Sequence, residues 1–161
     1  MDHPFQITEK TQTDNAWISN IATQMWGSVE IISKEHVYNI LNLPTLVGTL
    51  DGNPVGFISY IKDKNSIEIV ALYCEVTNKG LGTTFIDRVK ERAKEEGCSK
   101  VWLMTTNDNT QALRFYQKRG FVITAIHINE MEKQRKLKPS IPLLGNDRIP
   151  IRDEIELEVE L

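Results

Sequence analysis

The tract Thr77-Asn78-Lys79-Gly80-Leu81-Gly82-Thr83-Thr84 separates an almost wholly apolar run, Ile67 to Cys74, from a stretch of helical periodicity, Thr83 to Glu96. A strand that passes into a helix leaves free backbone N–H groups at the helix start, where the helix dipole also favours negative charge. Glycines at 80 and 82 let the backbone approach a ligand and adopt positive φ, Thr83 and Thr84 add hydroxyl donors, and Lys79 adds a positive charge. Such a tract suits a phosphate or pyrophosphate, although the same glycine pair also serves an ordinary tight turn. Two familiar phosphate loops do not fit. A Walker loop needs Gly-Lys-Ser/Thr, whereas Gly82 directly precedes Thr83, and a dinucleotide fingerprint needs a third glycine where Phe85 stands.

Other reactive residue types are sparse. Cys74 and Cys98, the two cysteines, have neither CxxC spacing nor a histidine placed to activate them, so a disulfide, a zinc site and a cysteine nucleophile are not expected. His3, His36 and His127 are scattered without metal-ligand spacing, and no metal is expected. The run Lys133-Gln134-Arg135-Lys136-Leu137-Lys138 reads as a solvated helix face in a chain of net charge -3, and neither nucleic acid nor a membrane is expected as a partner. The start, Met1-Asp2-His3-Pro4, opens neither a basic segment nor a long apolar run, which points to a cytoplasmic protein.

With 161 residues the chain suits one domain, which would bury about 70% of the surface its unfolded form exposes. Trp17, Ile18, Ile21, Met25 and Trp26 fall at helical spacing between Thr13 and Trp26, with Gly27 as the stop. Asp51-Gly52-Asn53-Pro54 joins Thr45–Leu50 to Val55–Ile61 as a hairpin, and a turn at Asp63-Lys64-Asn65-Ser66 leads into Ile67–Cys74, a strand apolar enough to be central. The helix from Thr83 to Glu96 ends at Gly97, and Val101–Thr105 follows as a buried strand, so the pair forms a right-handed parallel crossover. A second helix spans about Asn109 to Arg119 and leads into a strand, Phe121–Ile128. Glu130 to Asp153 is a basic helix-like stretch and a proline-rich loop, and Ile155–Leu161 alternates apolar residues with glutamates, one face buried and one acidic.

Gly80-Leu81-Gly82 opening a helix, followed one strand later by Thr105-Thr106-Asn107-Asp108-Asn109 and by Ala112-Leu113-Arg114-Phe115-Tyr116-Gln117-Lys118-Arg119-Gly120-Phe121, resembles the GNAT superfamily of acyl-CoA-dependent N-acyltransferases. The resemblance covers roughly residues 45 to 128. Two departures stand out: Thr77 occupies a position where Arg or Gln is usual, and the loop after Cys74 is short. The resemblance implies an α/β fold of the α+β kind, a mixed, mostly antiparallel sheet with a splayed parallel strand pair flanked by helices. It implies acetyl-CoA as acyl donor without a metal, its pantetheine bonding to backbone at Leu72, Tyr73 and Cys74 and its pyrophosphate on Asn78, Lys79, Gly80, Leu81, Gly82 and Thr83. Asn109 would contact the pantetheine arm, and Tyr116 would protonate the departing thiolate.

Acylation of an amine needs its neutral form, so a base must stand near the thioester. Glu68 is the only acid between Ile67 and Leu72, where low polarity would raise its pKa; a glutamate pointing into solvent at a strand entry is the alternative. A backbone N–H near Cys74 would polarise the carbonyl. Asp153 and Glu154 would add negative charge beside a cationic acceptor, while the acidic face of the last strand would alternatively keep a sheet edge soluble or border a homodimer. The acceptor is a small-molecule or peptide amine. The competing function is a module that binds acyl-CoA without chemistry.

Overall fold

A computed structural model describes residues 4–77 and 79–161; Asn78 and His3 lie outside them. Nine strands and four helices follow in the order β1 (Phe5–Glu9), α1 (Asn15–Trp26), β2 (Glu30–Ser33), β3 (His36–Asn39), β4 (Thr45–Leu50), β5 (Asn53–Asp63), β6 (Ser66–Cys74), α2 (Leu81–Glu95), β7 (Lys100–Thr106), α3 (Thr110–Lys118), β8 (Val122–His127), α4 (Glu130–Leu137) and β9 (Glu154–Glu160) among the described residues. Seven strands form one sheet in the order β1-β4-β5-β6-β7-β9-β8, antiparallel except for β6 and β7. The strands and helices expected from periodicity are all present, with ends moved by a few residues.

The central event lies on β6. Ile67 and Ile69 pack on the α2 side, as do Leu72 and Cys74 further on, while Ala71 and Tyr73 belong to the cluster under α1. That change of parity is a bulge: Tyr60 pairs with Ile69 and Ser59 with Ala71, so Val70 has no opposite number. A bulge bends its strand and strengthens its twist. Parallel pairing to β7 runs from Ser66↔Lys100 only to Ile69↔Leu103. Beyond it β6 follows β5 to Cys74 and β7 follows β9 to Thr106, leaving a slot between residues 70–74 and 104–106.

Helix α2 covers one face with its apolar stripe, Leu81, Phe85, Ile86, Val89 and Ala93, all buried. Its first turn sits unusually close to the sheet. A Cβ on Gly48 or on its cross-strand partner Gly56 would lie 2.8 Å from Leu81, so the two glycines admit the helix start at the end of β6. The other face carries α1, the β2–β3 hairpin and α4.

One expectation is corrected. Strand β9 lies between β7 and β8, not at an edge, so its acidic face does not serve to keep a sheet edge soluble. Two of its glutamates are covered: Glu154 is buried, and Glu156 bonds Lys34 Nζ at 3.0 Å, while Glu160 is exposed. The edge at this end of the sheet is β8, where Val122, Ile123 and Ile126 are exposed. The β2–β3 hairpin has no counterpart among the expected elements. Its strands have four residues each, and its turn, Lys34-Glu35, holds φ values of 46° and 68° without a glycine or asparagine to announce them.

Candidate active site

Gly80 takes φ 86° as the cap of α2, and a Cβ there would meet nothing within 4 Å, so the cradle is open towards the outside. Thr84 turns back, its N–H and Oγ1 both donating to Gly80 O, at 3.0 and 2.9 Å. Thr83 Oγ1 accepts two bonds from Arg119, Nε at 2.9 Å and Nη2 at 2.7 Å, which leaves its own proton for an anion. The Arg119 guanidinium also donates to Phe115 O at 2.8 Å and stacks 3.6 Å from the Phe115 ring centroid. A fixed cation thus stands against the first turn of α2. Sequence reasoning missed it, although it immediately precedes Gly120-Phe121. Lys79 is exposed beside the cradle.

Gly82 does not take the positive φ expected of it. It lies inside α2 and is not among the glycines of positive φ; a Cβ on it would stand 2.8 Å from the Phe115 ring. The residue lets α3 pack against the helix start. Asn109 caps α3, its Oδ1 accepting from Ala112 N at 3.2 Å, a bond that does not use its Nδ2 group.

Along the slot, Leu72, Tyr73 and Cys74 pair with Ile58, Phe57 and Gly56 of β5, while their opposite edge has left β7. Burial pushes the Cys74 thiol up to about 11, so it stays protonated near neutrality. Tyr116 is buried between Phe115 and Phe121, with ring centroids 5.1 and 5.4 Å away. Burial raises its hydroxyl well above the ordinary tyrosine range, with the nearby Cys74 adding to the effect.

The other face holds the carboxylates. Glu68 is 4% exposed, and Ser33 Oγ donates to its Oε2, so the solvent-facing alternative is removed. Burial raises its pKa, opposed by the Ser33 bond and by Lys34 and His36. Glu154 is 3% exposed and, among the described residues, accepts from a single group, Gln134 Nε2, at 2.8 and 2.9 Å. Burial pushes it up to about 7. Asp153 is engaged elsewhere. Arg152 binds it at 2.9 Å through both Nε and Nη2, Asn129 N donates to it at 2.9 Å, and its pKa is lowered by these bonds. It secures the start of α4 and does not line the pocket that Glu154 lines. That pocket, about 240 Å³, is bounded by Lys34, Glu35, Met104, His127, Glu130 and Glu154. A larger cavity of about 540 Å³, with Tyr60, Lys62, Arg92 and Glu96 in its wall, lies at the far end of α2, away from the cradle and the slot.

Among the described residues, no helix is long and apolar enough to cross a membrane. The start of α2 lies on one side of a parting parallel strand pair and buried carboxylates lie on the other. Residues 16–121 match the model of the acetyltransferase (GNAT) family. An uncharacterised protein of Bacillus subtilis, YxbD, is 39% identical over 156 residues, 96% of this chain and 98% of that one. A GNAT family acetyltransferase from Elizabethkingia anophelis, solved with acetyl-CoA bound, superposes with a TM-score of 0.75 at 20% identity, covering 99% of this chain and 100% of the other. A Bacillus subtilis acetyltransferase in complex with CoA gives 0.71 at 19%, covering 98% and 99%. The family match spans well over half of the sequence and includes both glycine-bearing blocks, and the chain belongs to the GNAT acetyltransferase family.

Proposed function

We propose that this protein is an N-acetyltransferase that uses acetyl-CoA to acetylate a primary amine. The observation that carries the reading is the parting of β6 and β7 at Val70, with the α2 cradle on one face and Glu68 and Glu154 on the other. Acetyl-CoA, when bound, supplies a thioester whose acetyl group passes to nitrogen. The chain's own residues bind the donor, polarise its carbonyl and move two protons. Lys79, Gly80, Leu81, Gly82 and Thr83, with Asn78 ahead of them, hold phosphate through backbone N–H groups, the Thr83 hydroxyl and the nearby Arg119. Backbone at Leu72, Tyr73 and Cys74 binds the pantetheine arm, Asn109 Nδ2 adds a donor to it, and an N–H near Cys74 polarises the carbonyl.

Glu68 takes the proton that the acceptor ammonium must lose, directly or through a water; its raised pKa brings it towards the range where a base works near neutrality. Tyr116, protonated because its pKa is raised, gives a proton to the departing sulfur. Calorimetry with acetyl-CoA and desulfo-CoA tests the donor, and absence of binding by the folded protein refutes the reading. If both bind, Glu68→Gln and Tyr116→Phe should each lower kcat by about a hundred-fold or more with donor affinity retained. A module that binds acyl-CoA without chemistry would show binding and no thiol release with any amine.

A further inference from the structure

The acidic pocket deepens this reading. Met104, on its wall, is the first β7 residue beyond Leu103, the last partner of β6, so the pocket adjoins the slot. Its positive charge is already occupied: Lys34 Nζ lies 3.0 Å from Glu156 Oε1 and 4.2 Å from the centroid of Trp102. Glu130 is 3.6 Å from Lys133 Nζ, and among the described residues Glu154 has only the neutral Gln134 as donor. A carboxylate offers about four acceptor positions, and one buried with a single neutral donor is undercompensated.

Resting on the acetyltransferase reading, we propose that this pocket receives the acceptor and that Glu154, with Glu130 beside it, selects a compact amine of net positive charge. An ammonium supplies both the charge and the N–H donors that Glu154 lacks. An acceptor bearing its own carboxylate would face Glu35, Glu130 and Glu154 together. The volume of about 240 Å³ is below the roughly 300–1,000 Å³ of most small-molecule sites, which suits a short aliphatic amine.

The groups that face Glu154 are Glu130 and Gln134 of α4, His127 of β8, Glu68 of β6, and Lys34 and Glu35 of the β2–β3 turn; β7 presents Met104 and Thr106, which do not titrate. With Glu154 pushed up to about 7, cation binding should strengthen as pH rises from 6 to 8, roughly tenfold for one such carboxylate.

Three amines of one chain length make the test: 1,4-diaminobutane, n-butylamine and 4-aminobutyrate, with acetyl-CoA binding measured in parallel for every variant. The diamine should be preferred to the amino acid at least tenfold in kcat/KM. Its calorimetric affinity for the unliganded protein should rise between pH 6 and 8. Glu154→Gln should remove both the preference and the pH dependence while leaving acetyl-CoA affinity unchanged, and Glu154→Asp should restore part of each. Equal use of 4-aminobutyrate, no turnover of any of the three, or a Glu154→Gln variant that behaves as wild type overturns the pocket assignment while bound acetyl-CoA keeps the transferase reading. Failure of acetyl-CoA to bind the wild type removes both.

Discussion

Single residues divide into those the sequence marks and those that only the fold brings into place. Gly80 is marked, because a glycine ahead of a helical stretch lets the chain adopt positive φ there, and its φ of 86° agrees. Glu68 is marked as a lone acid in an apolar run, but Ser33, which bonds it, comes from a strand 35 residues earlier with no signal of its own. Arg119 shows the same limit. Its position before Gly120 is visible in the sequence; that it folds back over Phe115 onto Thr83 is not. It puts a fixed cation at the cradle, in a chain where Thr77 stands at a position usually held by Arg or Gln. Arg119→Gln should therefore weaken acetyl-CoA and desulfo-CoA alike, by about tenfold, as for one lost hydrogen bond to a charged group. Arg119→Lys, which keeps the charge without the planar fork that grips Thr83, should fall between the two. Unchanged calorimetric affinity in both variants would leave Arg119 as a tie between α2 and α3 alone.

At the scale of elements, periodicity locates every helix and strand that buries a clear stripe, and it fails where a strand is short and its turn lacks the usual residues. Strands β2 and β3 alternate weakly, and Lys34-Glu35 holds positive φ without glycine, so nothing in the local chain opposes reading that stretch as a loop. The bulge at Val70 is likewise invisible in an apolar run, since Ile69, Val70 and Ala71 suit either face; only pairing to β5 reveals it. The fit of α2 against α3 is a third property of elements. Gly82→Ala gains helix propensity of about 1 kcal/mol yet places a methyl group 2.8 Å from the Phe115 ring, an overpacking worth about 1–3 kcal/mol. Chemical denaturation should show a net loss, and Gly82→Ala combined with Phe115→Leu should recover part of it. Full stability of the single variant would mean that Phe115 moves aside without cost. A Gly82 variant that loses acetyl-CoA reports on the seat of α3 as well as on the cradle.

For the whole molecule, the sheet acts as a partition, with the glycine-opened start of α2 on one face and carboxylates buried on the other, and the second half of that arrangement costs stability. Glu154 ionises at about 7 in the folded chain against an ordinary value of 4.5, because burial disfavours its charge. Its sign is the reverse of a salt-bridged acid. Below the ordinary value the carboxyl is neutral folded or unfolded and the fold suffers nothing; above it the unfolded chain gives up the proton first, so stability falls as pH rises from about 4.5 through about 7. The loss amounts to about 3–4 kcal/mol for a shift of this size, at about 1.4 kcal/mol per unit. Glu68, also raised, adds in the same direction, whereas Asp153, held below the usual range by Arg152 and Asn129, acts in the opposite sense at lower pH. Glu154→Gln keeps an oxygen for Gln134 to donate to and removes the titration. It should melt higher than the wild type at pH 8 and close to it at pH 5, with the two curves separating between them. A cationic amine that binds the pocket should raise the wild-type melting temperature at pH 8 more than that of the variant. Parallel pH profiles for the two proteins would mean that Glu154 is already compensated by its neighbours, and the pocket would then have no charge left to offer an acceptor.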